Sequence, residues 1–232
     1  MADKDKIPWE APSEVPREEV VKTSQKVLAM PQIKTKVRED IFRIKALEFN
    51  WDIGTMVYEP EDTSKIPTGP DGKKVGIFLL HGGMGDYKSL DPLARMISGR
   101  FGFKVASMTF PGRLYLLDPS RDWPADTLNP DDSARTPLWT KEIRITRDQY
   151  EVVRDVSQRN FYGTIISLRA EEGTEFYDRM AAWPAAFEEA MKETCRRNFQ
   201  EDHYSIYVHG HSTGGPFAMI ATQRIANKQT LA

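Results

Sequence analysis

Residues 204–220 read YSIYVHGHSTGGPFAMI. Tyr204–Val208 is a short apolar run with aromatic and β-branched residues, the composition of a strand. Gly214–Asn227 has helical character, and Pro216 falls near its first turn, where proline is tolerated. Between them, Gly210-His211-Ser212-Thr213-Gly214 fits G-x-S-x-G. A chain that passes from strand to helix in so few residues places Ser212 at the tip of a tight, strained turn. The positions two before and two after the serine must be small, because a Cβ there collides with the neighbouring strand or helix. Gly210 and Gly214 fill those positions, and Gly215 adds clearance. The following helix aims its N-terminal N–H groups at the serine, which favours negative charge developing there.

Working upstream, Val75–Leu80 (VGIFLL) is a continuous apolar run bounded by turn residues, which suits a strand buried on both faces. His81-Gly82-Gly83-Met84-Gly85-Asp86 follows at once. Ser89–Arg100 then carries helical apolar spacing at Leu90, Leu93, Met96 and Ile97, and Phe103–Phe110 (FKVASMTF) reads as the next strand. Strand, loop, helix and strand in this order form a βαβ crossover. The expected fold class is α/β, a mainly parallel sheet with helices on both faces.

The elbow at Ser212, the His81-Gly82-Gly83 loop after a buried strand, and Met108–Arg113 (MTFPGR) together resemble the α/β-hydrolase superfamily of serine esterases and lipases. The resemblance covers Val75–Arg113 and about Pro184–Asn227. It implies that Ser212 is the catalytic nucleophile and that the chain cleaves an ester or related acyl bond through an acyl-enzyme. It implies oxyanion-hole N–H groups from Thr213 and from Gly83 or Met84, the alternatives arising because Met84 stands where an HGGG loop has a third glycine. His81, Gly82, Gly210 and Gly214 take structural roles at the site. No cofactor and no metal are implied. The substrate is expected to be a small molecule with an apolar or aromatic acyl group.

The family orders its triad as serine, then acid, then histidine. Residues 213–232 contain no Asp, Glu or His. His203 lies at the far end of the strand, about 30 Å from Ser212 if extended. His209 and His211 flank Gly210, where the turn directs their side chains away from the line of attack. The sequence therefore reads as an α/β-hydrolase lacking its last strands, triad acid and base: a C-terminally truncated fragment, an interrupted gene product or half of a split enzyme, with a parent of roughly 300–400 residues. A catalytically silent fragment or interaction module, and a serine-dependent lyase on the same fold, are the alternative readings.

The remaining segments are less informative. Residues 1–45 read as a polar tail followed by a helical extension, and residues 46–232 as the partial hydrolase core. Residues 48–60 suit one or two edge strands, and Lys65–Lys74 (KIPTGPDGKK) is a turn cluster. About 90 residues separate the second strand from the elbow strand, where a doubly wound fold needs about 30–40. The excess, 114–180, is rich in aromatics, among them Tyr115, Trp123, Trp139, Phe176 and Tyr177, with Trp183 just beyond it, and reads as a cap or lid. Within it Asp148–Leu168 reads as containing a helix. Pro184–Phe199 reads as a helix with Phe187, Met191, Cys195 and Phe199 on one stripe. Asp126, Asp131 and Asp132 lack metal-loop spacing and read as a solvated loop.

Composition sets outer limits. The 232 residues carry 32 Lys+Arg against 34 Asp+Glu, a formal charge of −2, which gives no reason to expect nucleic acid as a partner. The N-terminus lacks the apolar core of a signal peptide and no stretch suits a membrane span, so a cytoplasmic location is expected. With one cysteine, Cys195, no intrachain disulfide forms.

Overall fold

The computed structural model describes residues 15–83, 85–112, 150–160, 163–200 and 203–224. The chain divides into two units, residues 1–32 and 33–232. In the first, α1 (Arg17–Ala29) carries Glu18 and Glu19 in its first turn and Lys26 in its last, the charges that suit the helix dipole at each end.

The second unit opens with β1 (Thr35–Ala46) and β2 (Phe49–Pro60), paired antiparallel from Thr35↔Pro60 to Ala46↔Phe49. They turn at Leu47-Glu48, with Leu47 at φ 52°. β3 (Lys74–Leu80), α2 (Asp91–Phe101) and β4 (Lys104–Met108) follow. A hairpin, β5 (Tyr150–Asn160) and β6 (Gly163–Ala170), forms a separate two-stranded sheet. Then come α3 (Glu175–Asn198), β7 (Tyr204–Gly210) and α4 (Gly214–Arg224).

The main sheet has the order β1-β2-β4-β3-β7. β3 pairs parallel with β4 and with β7, whereas β1–β2 and β2–β4 are antiparallel. The sheet is therefore mixed, not mainly parallel. The difference comes from its first two strands, which are joined by a tight turn and must run antiparallel. β2 lies between β1 and β4, an inner strand rather than an edge strand. Of the helical extension expected over 1–45, the described residues contain α1. Thr35–Ala46 is a strand whose buried Phe42, Ile44 and Ala46 alternate with exposed Arg43 and Lys45.

Strand alternation sends successive side chains to opposite faces. Leu79 and Val105 pack with Tyr58 and with Ala94 of α2. Phe78, Leu80, Ala106 and Met108 join the larger core built with Phe187, Met191 and Ala190 of α3 and Ala221 of α4. Helices thus cover both faces. Gly76 admits the Phe199 ring against β3, since a Cβ there would stand 2.7 Å from the ring edge.

Three local expectations change. Tyr150–Asn160 and Gly163–Ala170 pair as antiparallel strands instead of forming a helix. α3 begins at Glu175, where the Thr174 hydroxyl accepts the Tyr177 N–H (3.3 Å), and it runs through Pro184. Phe176 and Trp183 accordingly belong to a helix of the core layer, not to a cap over the sheet. Residues 113–149 and the acidic trio Asp126, Asp131 and Asp132 lie outside the described residues. The stripe on α3 is as expected: Phe187, Met191 and Phe199 are buried and Cys195 packs partly against the same core.

Candidate active site

The register Lys74↔Tyr204 through Leu80↔Gly210 brings the ends of β3 and β7 side by side. The loops that leave these strands, one with the glycines and one with the serine, therefore start as neighbours. The His211 N–H donates to Leu80 O at 2.9 Å, extending the pairing one residue past β7.

Ser212 follows at φ 53°, in the left-handed region that non-glycine residues rarely occupy. Two bonds hold the turn: Gly214 N–H donates to His211 O (2.8 Å) and Gly215 N–H to Ser212 O (2.9 Å). The glycines answer to space. A Cβ on Gly214 would stand 2.5 Å from Leu80 O and 2.8 Å from His81 O. A Cβ on Gly210 would overlap the backbone of Gly214 and Gly215. Gly215 differs from the sequence expectation, because a Cβ there meets only Gly210 O, at 3.8 Å. Ser212 and Thr213 are exposed at the turn.

The glycine loop lies against this elbow. A Cβ built on Gly82 would be 3.3 Å from Ser212 Cβ, and one on Gly83 would be 3.4 Å from Thr213 Oγ1. Gly82, Gly83, Ser212 and Thr213 are thus brought together. Among the described residues, neither the Gly83 N–H nor the Thr213 N–H has a hydrogen-bond acceptor. Met84 lies outside the described residues.

His81 is buried beneath the loop. Its Nε2 accepts the Phe110 N–H at 3.0 Å, which places the ring proton on Nδ1 and makes Nδ1 the donor to Gly82 O at 2.6 Å. Both ring nitrogens are engaged in holding backbone. No imidazole is hydrogen-bonded to Ser212 among the described residues, where His203, His209 and His211 are exposed.

Several supporting residues escaped the sequence reading. Buried Asp86 accepts the Lys88 N–H (2.8 Å) and the Ser89 hydroxyl (3.1 Å), and Ser89 Oγ accepts the Asp86 N–H (2.8 Å). The signal was present as an aspartate with a serine three residues on, a local turn-forming pair. The Tyr87 hydroxyl donates to Glu39, which also pairs with Lys88 at 2.9 Å. These two partners hold the Glu39 carboxyl below the usual carboxylate range, and burial pushes the Tyr87 phenol up. The loop between Gly85 and Ser89 is thereby fastened to β1. On the other face of the sheet, Phe110, Trp183, Phe187 and Phe217 form an aromatic cluster. Ring centroids lie 5.1 Å apart for Phe110–Phe217 and 5.4 Å for the stacked Trp183–Phe187 pair. Trp183 also donates its indole N–H to Pro111 O at 3.1 Å. An apolar cavity of about 250 Å³ opens beside Trp183, Phe187 and Phe217.

No group of three or more His, Cys, Asp or Glu suited to a metal occurs among the described residues. No described helix is long and apolar enough to cross a membrane.

Residues 139–231 match the family model for class 3 lipases. Comparison with curated proteins gives no match. Among solved structures, the chain is similar to a bacterial heroin esterase, with 14% identity over 90% of this chain and 46% of that one, at a TM-score of 0.39. It is similar to a ferulic acid esterase at 16% identity, covering 86% of this chain and 57% of that one, TM-score 0.36. An S-formylglutathione hydrolase from Agrobacterium tumefaciens gives 14% identity, 87% and 59% coverage, and a TM-score of 0.42. The chain spans about half the length of these structures. The chain thus has an α/β architecture with a serine elbow, and over residues 139–231 it is similar to the class 3 lipases.

Proposed function

We propose that the chain carries the nucleophile and oxyanion hole of a serine hydrolase acting on esters with an apolar or aromatic acyl group. The observation that carries this reading is Ser212 at φ 53° between two glycines whose Cβ positions are filled by backbone. A turn held in so costly a conformation, on the order of 1–3 kcal/mol, is explained by the need to present the serine hydroxyl clear of the sheet.

In the reaction, Ser212 Oγ attacks the ester carbonyl and its proton passes to a general base. The carbonyl oxygen becomes an oxyanion received by the Thr213 and Gly83 N–H groups, each such bond contributing about 3–4 kcal/mol to the transition state. The alcohol leaves with a proton, and water then releases the acid from the acyl-enzyme. The base is assigned to none of the described histidines, since His81 spends both ring nitrogens on backbone. The class 3 lipase match supports an ester as substrate. Steady-state hydrolysis of p-nitrophenyl butyrate tests the reading. Turnover abolished by Ser212→Ala supports it, and turnover unchanged by that substitution overturns it.

A second reading is a hydrolase-like module without turnover. It is favoured by the lack of any imidazole bonded to Ser212 among the described residues. Under it, the folded protein hydrolyses p-nitrophenyl butyrate no faster than its Ser212→Ala variant.

A further inference from the structure

α1 belongs to the first unit, residues 1–32, and none of its residues is buried. Val20, Val21 and Leu28 stand 50%, 46% and 68% exposed. With 13 residues, α1 has the length at which an isolated helix is marginal in water. Its composition does not make up the deficit, since the β-branched Val20, Val21, Thr23 and Val27 have lower helix propensity than straight-chain residues. A helix of this kind is stabilised by covering an apolar face.

That face follows from the spacing. Arg17, Val20, Val21, Ser24, Val27 and Leu28 recur at three- and four-residue intervals and share one side of α1, with Lys22 on the opposite side. The face is its own complement. A second copy laid antiparallel across it, with the two-fold axis at Ser24, brings Val20 and Val21 level with Leu28 and Val27 of the other copy. Ser24 then meets Ser24 of the other copy, and these small side chains let the helices approach. Charge favours the same direction. Arg17, at the amino end of the face, lies beside the last carbonyls of the other helix, which carry partial negative charge. The acidic first turn, with Glu18 and Glu19, runs alongside the half of the other helix that holds Lys26. A parallel arrangement sets Arg17 against Arg17 and like helix poles together.

We infer that α1 is a self-association surface, through which two copies of this chain pair antiparallel about Ser24. One short helix face per copy makes a small interface, so the dimer is weak and dissociates on dilution. Sedimentation equilibrium of the full chain over a micromolar concentration series is expected to show monomer and dimer in exchange. The Val21→Asp/Leu28→Asp double variant should weaken the dimer by about tenfold or more, while Lys22→Ala, on the opposite side, should leave it unchanged. These side chains are not buried in the single chain, so the variants leave its fold intact. Direction is read by cross-linking. Oxidation of Ser24→Cys should give a covalent dimer. Leu28→Cys should not, since its two copies stand about 12 Å apart along the helix axes. The wild-type chain, with Cys195 as its one cysteine, is the background. A wild-type chain that stays monomeric overturns the inference. So does a dimer unaffected by the double variant, or cross-linking of Leu28→Cys as ready as that of Ser24→Cys.

Discussion

The Nε2 atom of His81 accepts the Phe110 N–H at 3.0 Å, while Nδ1 bonds Gly82 O at 2.6 Å. One buried ring thus ties the start of the glycine loop to the chain just beyond β4. Replacing it with phenylalanine keeps a ring packed against Phe110, now tilted at 4.1 Å between centroids, but removes both bonds. A buried N–H left without an acceptor costs about 1–3 kcal/mol. Urea denaturation of His81→Phe is expected to show a loss in that range, and a loss under about 0.5 kcal/mol would contradict the clamp.

The elbow glycines should separate sharply. Gly214→Ala forces a Cβ to 2.5 Å from Leu80 O, so the variant should lose at least about 3 kcal/mol or fail to accumulate folded. Gly215→Ala meets ordinary contact at 3.8 Å in the first turn of α4. There the gain in helix propensity, up to about 1 kcal/mol, should appear as a raised melting temperature. Equal effects at the two positions would contradict the packing described.

Gly76 and Phe199 form a coupled pair, because a Cβ on Gly76 would stand 2.7 Å from the ring. Gly76→Ala is expected to cost about 1–3 kcal/mol as overpacking. Phe199→Leu alone should also destabilise by trimming a core side chain. The double variant should be more stable than the sum of the two losses allows, by more than about 0.5 kcal/mol. Additive losses in a double-mutant cycle would show that the ring does not rest on β3.

The acid side of the stability curve has an identifiable contributor in α3. Hydrogen bonds from Arg196 and Arg197 hold the Glu193 carboxyl down to about 2, from an ordinary 4.5. A carboxylate whose folded value lies below its unfolded one adds stability that is complete above about pH 4.5 and is lost as pH falls through about 2. The pairs face solvent, so the contribution is under about 1 kcal/mol. Glu193→Gln should flatten the stability profile between those pH values and leave the melting temperature at pH 4 lower than wild type. An unchanged acid slope would contradict it.

The parts of the fold that were legible in the sequence are those whose residues answer to a local constraint. Val75–Leu80 had to be a buried strand because it is apolar without alternation, and Gly210 and Gly214 declare the tight turn because no other residue fits. β1 was hidden because its exposed face carries so many charges that the alternation of Phe42, Ile44 and Ala46 is short. Pro184 misplaced the start of α3, since proline removes one helix hydrogen bond without ending a helix that is packed along its length. The aromatic cluster joins Phe110, Trp183 and Phe217 from three separate segments, a proximity that only the completed sheet creates. The His81 clamp depends in the same way on where Phe110 falls beside the loop.

The central claim is that Ser212 is a nucleophile. Its most direct test is reaction of the folded protein with a fluorophosphonate, followed by mass-spectrometric mapping of the adduct. The expected result is a phosphonyl group on Ser212, in the peptide spanning 204–224, that is absent from Ser212→Ala. A folded protein that remains unlabelled, or an adduct that persists in Ser212→Ala, would contradict the claim.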